Sequence, residues 1–594
     1  GQALFTDDVQ LPDMVHVAFA RSPYAHARIL SIDTTDAEAR EGVFGVYTAE
    51  SLGEYWRPGP LLVAPPPIED MIFNTRTQVP LAKDKVRYAG EPVVMVIAES
   101  RYIAEDAVDE IWIDYDPLPV AVDLEDAIRE DAPLIHEDVD VVPGVGANVN
   151  SHVIQVKGAG RRFDAIAAKA DLVIKRRFYY DHGTAAAMEN RGYVASWDYR
   201  AQHLTIWSTT QAPVFVRNGM AAYFGLSESQ VRVIAPFIGG GFGPKIVVFY
   251  PEEVCVVWAT LQLHRPVKWI EDRSENFVAT TQERDQIHWA EMAMTKEGRI
   301  LAIRDRFLHD TGAYAPYGLT TVLNSQCTLL NNYDTPAYYS EFTSVFTNKT
   351  IVTPYRGAGR QHGVFVMERL MDVAAKELGI DRTEIRRRNF IQPDQFPYDN
   401  EIIFQDFGPL TYDSGNYEPA LDKAMGLIGY DEFFDKIQPE ARAEGRCLGL
   451  GIVCYVEGTG IGPYEGARVQ VQSDGRVSVA TGIGTQGQGH FTSYAQIVAD
   501  QLGVKPTEVD IVTGDTDQFH WGAGTFASRG AVVAGNAIYA AAKNVREKTL
   551  KQASSQLDNV PEEQLEIVNG HVRIKDVPES AIPLSELAQM ANPM

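Results

Sequence analysis

The chain has 594 residues, 45% of them hydrophobic and 22% charged, which is the balance of ordinary globular proteins and too long for a single hydrophobic core. Its formal charge of −27, from 80 acidic against 53 basic side chains, repels phosphate backbones and argues against nucleic acid as a partner. No uninterrupted apolar run approaches the roughly 18 residues of a membrane span, and Cys255, Cys327, Cys447 and Cys454 fit neither a zinc nor an iron–sulfur spacing, so a reducing, cytoplasmic setting is expected.

In chain order, residues 1–125 read as a compact α/β module. VVMVIA (93–98) is a short β-branched apolar run, IAEDAVDEI (103–111) has helical spacing, and IWIDYDPLPVAVD (111–123) reads as a strand pair broken by Pro117 and Pro119. Residues 126–160, with Pro133, Pro143, Gly144, Gly146 and Gly158, read as a connecting segment. Residues 161–594 form a long mixed region in which one unit recurs. A helix closes on a glycine and a polar turn restarts the chain, as in YFGLSESQVRVI (223–234), ELGIDRTEIRRR (377–388) and QLGVKPTEVDIV (501–512). The strongest helices are expected at 363–379 and 531–555. The fold class is therefore mixed, α+β.

Several short stretches have the composition of ligand loops. TTQAP (209–213) follows the strand-like HLTIWS, and IGGGFGPK (238–245) follows VRVIAPF. PYRGAGR (354–360), GIGTQGQGH (482–490) and GTFASRG (524–530) complete the set. Glycines let backbone N–H groups approach a ligand and make anion-binding nests. A neighbouring glutamine offers an amide that donates and accepts. Loops so far apart in sequence suit one large polar ligand bearing phosphates, such as a nucleotide-linked pterin. GIGTQG also fits a dinucleotide fingerprint, with Asp510 as its acidic residue, so a nicotinamide-dependent dehydrogenase is the second reading. A P-loop fails because Ile246 follows Lys245 where Ser or Thr is required, and no GxSxG or HExxH occurs.

Taken in order, these loops resemble the large subunit of the molybdenum hydroxylases, the family of xanthine oxidase, aldehyde oxidoreductase and aerobic carbon monoxide dehydrogenase. YPEE (250–253), RPVKWIEDRSE (265–275) and GPYEGARV (462–469) fit it too. The resemblance implies an α/β-hammerhead domain at 1–125 and most of a molybdopterin-binding domain at 161–594, incomplete at its C-terminus. It implies that Gln211 sets its amide beside a metal oxygen, that Phe242 in Gly240, Gly241, Phe242 aims its N–H there, and that Arg356, followed by Gly357, lies near the metal. Gly487, Gln488 and Gly489, with Ala527 and Ser528, would hold the pterin and its phosphates, Ala527 close to the metal. The implied cofactor is molybdenum with molybdopterin, in the cytosine dinucleotide form, and the implied partners are Fe–S and FAD subunits in a paired assembly.

The family's reaction oxidises an electron-poor carbon with water-derived oxygen. Gly357 stands where the carbon monoxide dehydrogenases carry a copper-binding cysteine. Ile246 stands where xanthine-oxidising members carry a substrate-binding glutamate. An aldehyde or N-heteroaromatic substrate is therefore expected. The family's catalytic glutamate, in a Gly-x-Gly-Glu stretch, has no counterpart up to Met594, so a separate chain is expected to complete the domain and supply it. Glu189, Glu252, Glu457 and Glu465 are read as structural, and His182 and His490 as hydrogen-bonding supports. A non-catalytic scaffold of the same fold is the remaining alternative.

Overall fold

The computed structural model describes residues 3–246 and 249–591. The first large sheet has seven strands in the order Val231–Ile234, His203–Ser208, Gly192–Asp198, Val267–Ile270, Val15–Arg21, Pro92–Ala98 and Val43–Tyr47. It crosses the boundary expected at residue 125. Val15–Arg21 lies parallel to Val267–Ile270, with Val15 opposite Val267. The N-terminal module therefore shares a sheet with the next region, because Val15, Val17 and Phe19 bury their apolar face in the same cluster as Trp269. The single strand Trp112–Pro117 replaces the expected pair at 111–123; beyond it Pro119 lacks the N–H a second strand would need.

The second large sheet has six strands in the order Ile72–Phe73, Val149–Gly158, Ala337–Phe346, Ile300–Gly312, Glu283–Met294 and Leu172–Gly183. The helices Thr320–Thr328 and Arg360–Leu378 pack together on it over Met292, Ile303, Val366 and Leu370. The glycine stops behave as read: Gly225, Gly379 and Gly503 each end a helix with φ of 69°, 66° and 59°, a left-handed cap that costs a side-chain-bearing residue strain. The last long helix, Asn536–Gln556, is preceded by a π-helical turn at Gly530–Gly535.

Helix Pro251–Leu263 starts with proline at its first turn and is apolar almost all round. The apolar window running through it is long enough to cross a membrane by composition, but 81% of that window is buried inside the protein, as a core helix is. Beside it lies a knot of buried charge. Arg191 reaches Glu252 at 3.1 Å, and Arg21 reaches Glu252 at 2.8 Å and Glu275 at 2.9 Å; Glu271 accepts a further bond from Arg191 at 2.9 Å. Burial raises the Glu252 carboxyl, but Arg191 and Arg21 outweigh it and hold it down at about 2. The second lobe is slighter. It has two three-stranded sheets, of which the one formed by Ala467–Val471, Val477–Thr481 and Val509–Val512 packs on helices His490–Leu502 and Asn536–Gln556.

Candidate active site

The strand His203–Ser208 delivers Gln211 into the interior, where it is buried. Its amide is engaged at both ends: Nε2 donates to the Thr525 carbonyl at 2.8 Å, and Oε1 accepts from the Gly243 N–H at 2.8 Å. One N–H of the amide remains available. A Cβ on Gly241 would lie 2.7 Å from the Gln211 side chain, so this approach is open only to glycine. The next residue, Phe242, has φ of 58° and is 41% exposed. A non-glycine residue in this conformation stores backbone strain, the kind concentrated at ligand-binding turns. A Cβ on Gly243 would come within 2.1 Å of the Pro354 carbonyl, which lets the two loops lie against each other.

Across that contact the Arg356 N–H donates to the Phe242 carbonyl at 2.8 Å, and its guanidinium lies 5.8 Å from the Phe242 ring centre. Arg284 fastens the same loop from below, donating to the carbonyls of Tyr355 at 3.1 Å and Arg356 at 3.2 Å. Gly357, Ala358 and Gly359 then run at φ of 106°, 49° and 91° before helix Arg360–Leu378 begins.

In the second lobe Gln488 folds back on Gln486, donating to its Oε1 at 2.8 Å and accepting from its N–H at 2.6 Å. Gly487 and Gly489, at φ of 98° and 77°, face open space where a side chain would stand. Gly489 is also the N-cap of the 13-residue helix His490–Leu502, with no side chain capping its first N–H groups; such a terminus receives anions. Ala527 and Ser528 are both left-handed, at 45° and 53°. Glu465 fixes that loop, accepting from the N–H groups of Ala523 at 3.0 Å and Gly524 at 3.2 Å and from Arg529 at 2.7 Å. Burial pushes its carboxyl up against these donors.

Three of these loops line a cavity of about 570 Å³ through Gly240, Phe242, Tyr355, Arg356, Gln486 and Gly487, with Met188 and Phe237 also on its wall. Gln211, Ala527 and Ser528 do not line it: Gln211 is bonded to Gly243, next to the lining residue Phe242, and to Thr525 through both the Thr525 N–H and carbonyl, while Gly357, Gln488 and Gly489 continue the lining segments. Among the described residues no carboxylate and no cysteine lines the cavity. Glu252 sits in the buried charge knot, Glu457 is exposed, and Glu189 accepts from the Gly239 N–H at 2.7 Å with Lys245 3.6 Å away. Burial, against the pull of Glu189, lowers the Lys245 ammonium to about 8.

His182 lies away from the cavity, 3.6 Å from Asp285. His182, Asp285 and Asp310 could together ligate a metal, but the Lys349 ammonium already sits between the two carboxylates at 2.6 and 3.0 Å. His490 stacks on Tyr494 at 5.0 Å, and burial lowers its pKa. Ile246 is buried beside Ala212 and Tyr317. The nucleotide-fingerprint reading loses its acidic residue: Asp510 is bonded at 2.6 and 2.9 Å by Arg476, which immediately precedes the neighbouring strand. Arg284 and Thr525 escaped sequence reasoning. Thr525 sits inside the quoted GTFASRG, so loop membership was its one signal; Arg284 lies in a strand and had none.

The family described as molybdopterin cofactor-binding domain matches residues 145–390 and, in a second form, 423–593. The aldehyde oxidase and xanthine dehydrogenase a/b hammerhead domain matches residues 1–119. The chain is 38% identical to the carbon monoxide dehydrogenase large chain of Afipia carboxidovorans, over 99% of this chain and 73% of that one. It is 32% identical to the nicotine 6-hydroxylase large subunit of Paenarthrobacter nicotinovorans, over 99% and 71%. Quinoline 2-oxidoreductase from Pseudomonas putida 86 superposes with a TM-score of 0.88 at 35% identity, covering 98% of this chain and 73% of that one.

Proposed function

The chain belongs to the xanthine oxidase family of molybdenum hydroxylases, as a molybdopterin-binding large subunit, and on that premise we propose that it hydroxylates a ring carbon of an N-heteroaromatic substrate. The observation that carries the reading is the convergence of Phe242, Arg356 and Gly487 on one cavity, with the Gln211 amide fixed behind them. The residues present fit the cofactor. Beside the cavity the buried Gln486 Nε2 and His490 Nδ1 have no hydrogen-bond partner, and Gly487 and Gly489 leave a bare cradle at a helix N-terminus.

Gln211, Phe242 and Arg356 would hold the metal end; Gly487, Gln488, Gly489, Ala527 and Ser528 would hold the pterin and its phosphates, in a cytosine dinucleotide form. Bound there, molybdenum supplies the oxidising equivalents and activates water for hydroxylation. The chain's own part is orientation and electrostatics. The free N–H of Gln211 and the N–H of Phe242 are donors fixed before reaction, which is how developing negative charge is stabilised at least reorganisation cost. Arg356 adds a cation held over the Phe242 ring.

The substrate class follows from the walls and the relatives. Phe242 and Phe237 offer flat aromatic surface and Met188 an apolar one. Two of the similar proteins act, by their names, on nicotine and quinoline. Carbon monoxide chemistry is not proposed, since Gly357 takes the copper-ligand position. With no carboxylate on the cavity among the described residues, we place the base on polypeptide outside residues 1–594, and the electron route on Fe–S and FAD subunits of a cytoplasmic assembly.

The test is isotopic. The natively purified assembly, given a panel of pyridine and quinoline compounds in H₂¹⁸O, is expected to form hydroxylated product carrying ¹⁸O. Product oxygen drawn from O₂ contradicts the reading.

A further inference from the structure

Residues 448–456 have the burial of a β-strand but no strand beside them. Leu448, Leu450, Ile452, Cys454 and Val456 are half-buried, while Gly449, Gly451, Val453 and Tyr455 are exposed, Val453 by 57% and Tyr455 by 59%. The backbone follows the same period of two. The carbonyls of Leu448, Leu450 and Ile452 accept from Gln438 at 2.9 Å, Arg382 at 3.1 Å and Arg386 at 3.2 Å. The N–H groups of Cys454 and Val456 donate to Glu368 at 3.0 Å and Asn331 at 3.1 Å.

In an extended chain the N–H and C=O of one residue share an edge, and successive residues alternate between edges. The odd-numbered residues therefore turn their backbone groups to the opposite edge. There, among the described residues, Gly449, Gly451, Val453 and Tyr455 make no backbone hydrogen bond within the chain. One edge is tied down by five side chains of the body and the other is bare, with apolar side chains exposed beside it. A bare edge of this kind is a template for strand addition.

We propose that this edge receives a β-strand from the molybdenum-binding polypeptide outside residues 1–594, with apolar side chains that cover Val453 and Tyr455. The inference rests on the family reading above and specifies where the completing polypeptide docks. The relatives supply the occupant: they carry polypeptide with no counterpart in these residues. The position supports it as well. The segment runs straight into the cofactor loops, where the Gly460 N–H donates to the Ala527 carbonyl at 3.1 Å. A Cβ on Gly460 would lie 2.8 Å from Val532, itself 44% exposed. A strand laid along 449–455 thus enters beside the cavity. A second copy is the poorer occupant, because each carries a formal charge of −27.

Two measurements on the natively purified assembly test this. In residue-resolved hydrogen exchange, the amides of Gly451, Val453 and Tyr455 are expected to be protected to within roughly tenfold of Cys454, whose N–H is already bonded. Exchange at unstructured rates overturns the proposal. A photo-cross-linking p-benzoylphenylalanine at position 455 is expected to capture a peptide outside residues 1–594; capture of residues within 1–594 of a second copy, or of nothing, overturns it. Molybdenum analysis of the same sample separates the two claims. A loaded assembly with an unprotected edge sinks the docking inference alone, and a protected edge without molybdenum sinks the family-level function alone.

Discussion

Gln211, in the lobe matched at residues 145–390, has both ends of its amide engaged by backbone groups, whereas Gly487 and Gly489, in the lobe matched at 423–593, face empty space where side chains would stand. The first lobe is built around two large sheets and a largely buried charge knot; the second has two three-stranded sheets and, at 448–456, a strand-like segment with one bare edge. On the function proposed above, the difference divides the labour. A metal-orienting group must be fixed before the reaction, so its hydrogen bonds are made within the protein. A phosphate cradle must leave its donors free, so its bonds are left for the ligand.

The sharpest way to break this contrast is at the knot. Arg191→Met leaves Glu252 and Glu271 buried without their main cation, and is expected to cost about 3–5 kcal/mol in denaturant unfolding. A cost under about 1 kcal/mol would mean the knot is not what stiffens the first lobe. The same network sets an acid limit. Glu252 titrates at 4.5 when unfolded and about 2 when folded, so its contribution is complete above 4.5 and is lost as pH falls towards 2. Unfolding titrations between those pH values should show wild-type stability falling, with the slope reduced in the Arg191 variant.

Next in size is Gln211→Leu, which deletes a fixed donor together with its side-chain bond to the Thr525 carbonyl of the second lobe, while leaving the Gly487–Gly489 cradle intact. Turnover is expected to fall roughly 10²–10³-fold while pterin content stays near wild type. Equal loss of both would mean Gln211 holds the cofactor instead of orienting it. The smallest effect belongs to Gly489→Ala. Its left-handed φ costs a Cβ about 1–2 kcal/mol, with nothing nearby to collide. Faster pterin loss on dialysis, with turnover per bound pterin unchanged, is the expected pattern.

Sequence alone made the glycine loops, the glycine helix stops and the long helices legible, because each depends on local backbone chemistry: Gly225, Gly379 and Gly503 cap their helices whatever packs around them. What it could not supply was pairing. Nothing in VHVAFAR says that Val15 lies against Val267. Arg284 was invisible for the same reason: it reaches the Tyr355 and Arg356 carbonyls from a strand position at φ of 79° that no residue type announces. The bare edge at 448–456 likewise emerges only from the hydrogen bonds that the even-numbered residues make and the odd ones lack.

The central claim is that this chain is built to hold a molybdenum–pterin cofactor between a fixed lobe and an open one. Metal and pterin analysis of the natively purified chain tests it most directly. The account predicts close to one molybdenum and one phosphorylated pterin per chain, both lost together when Gly487 and Gly489 are replaced by bulky residues. A native assembly that turns over N-heteroaromatic substrates while this chain is free of molybdenum and pterin would contradict it.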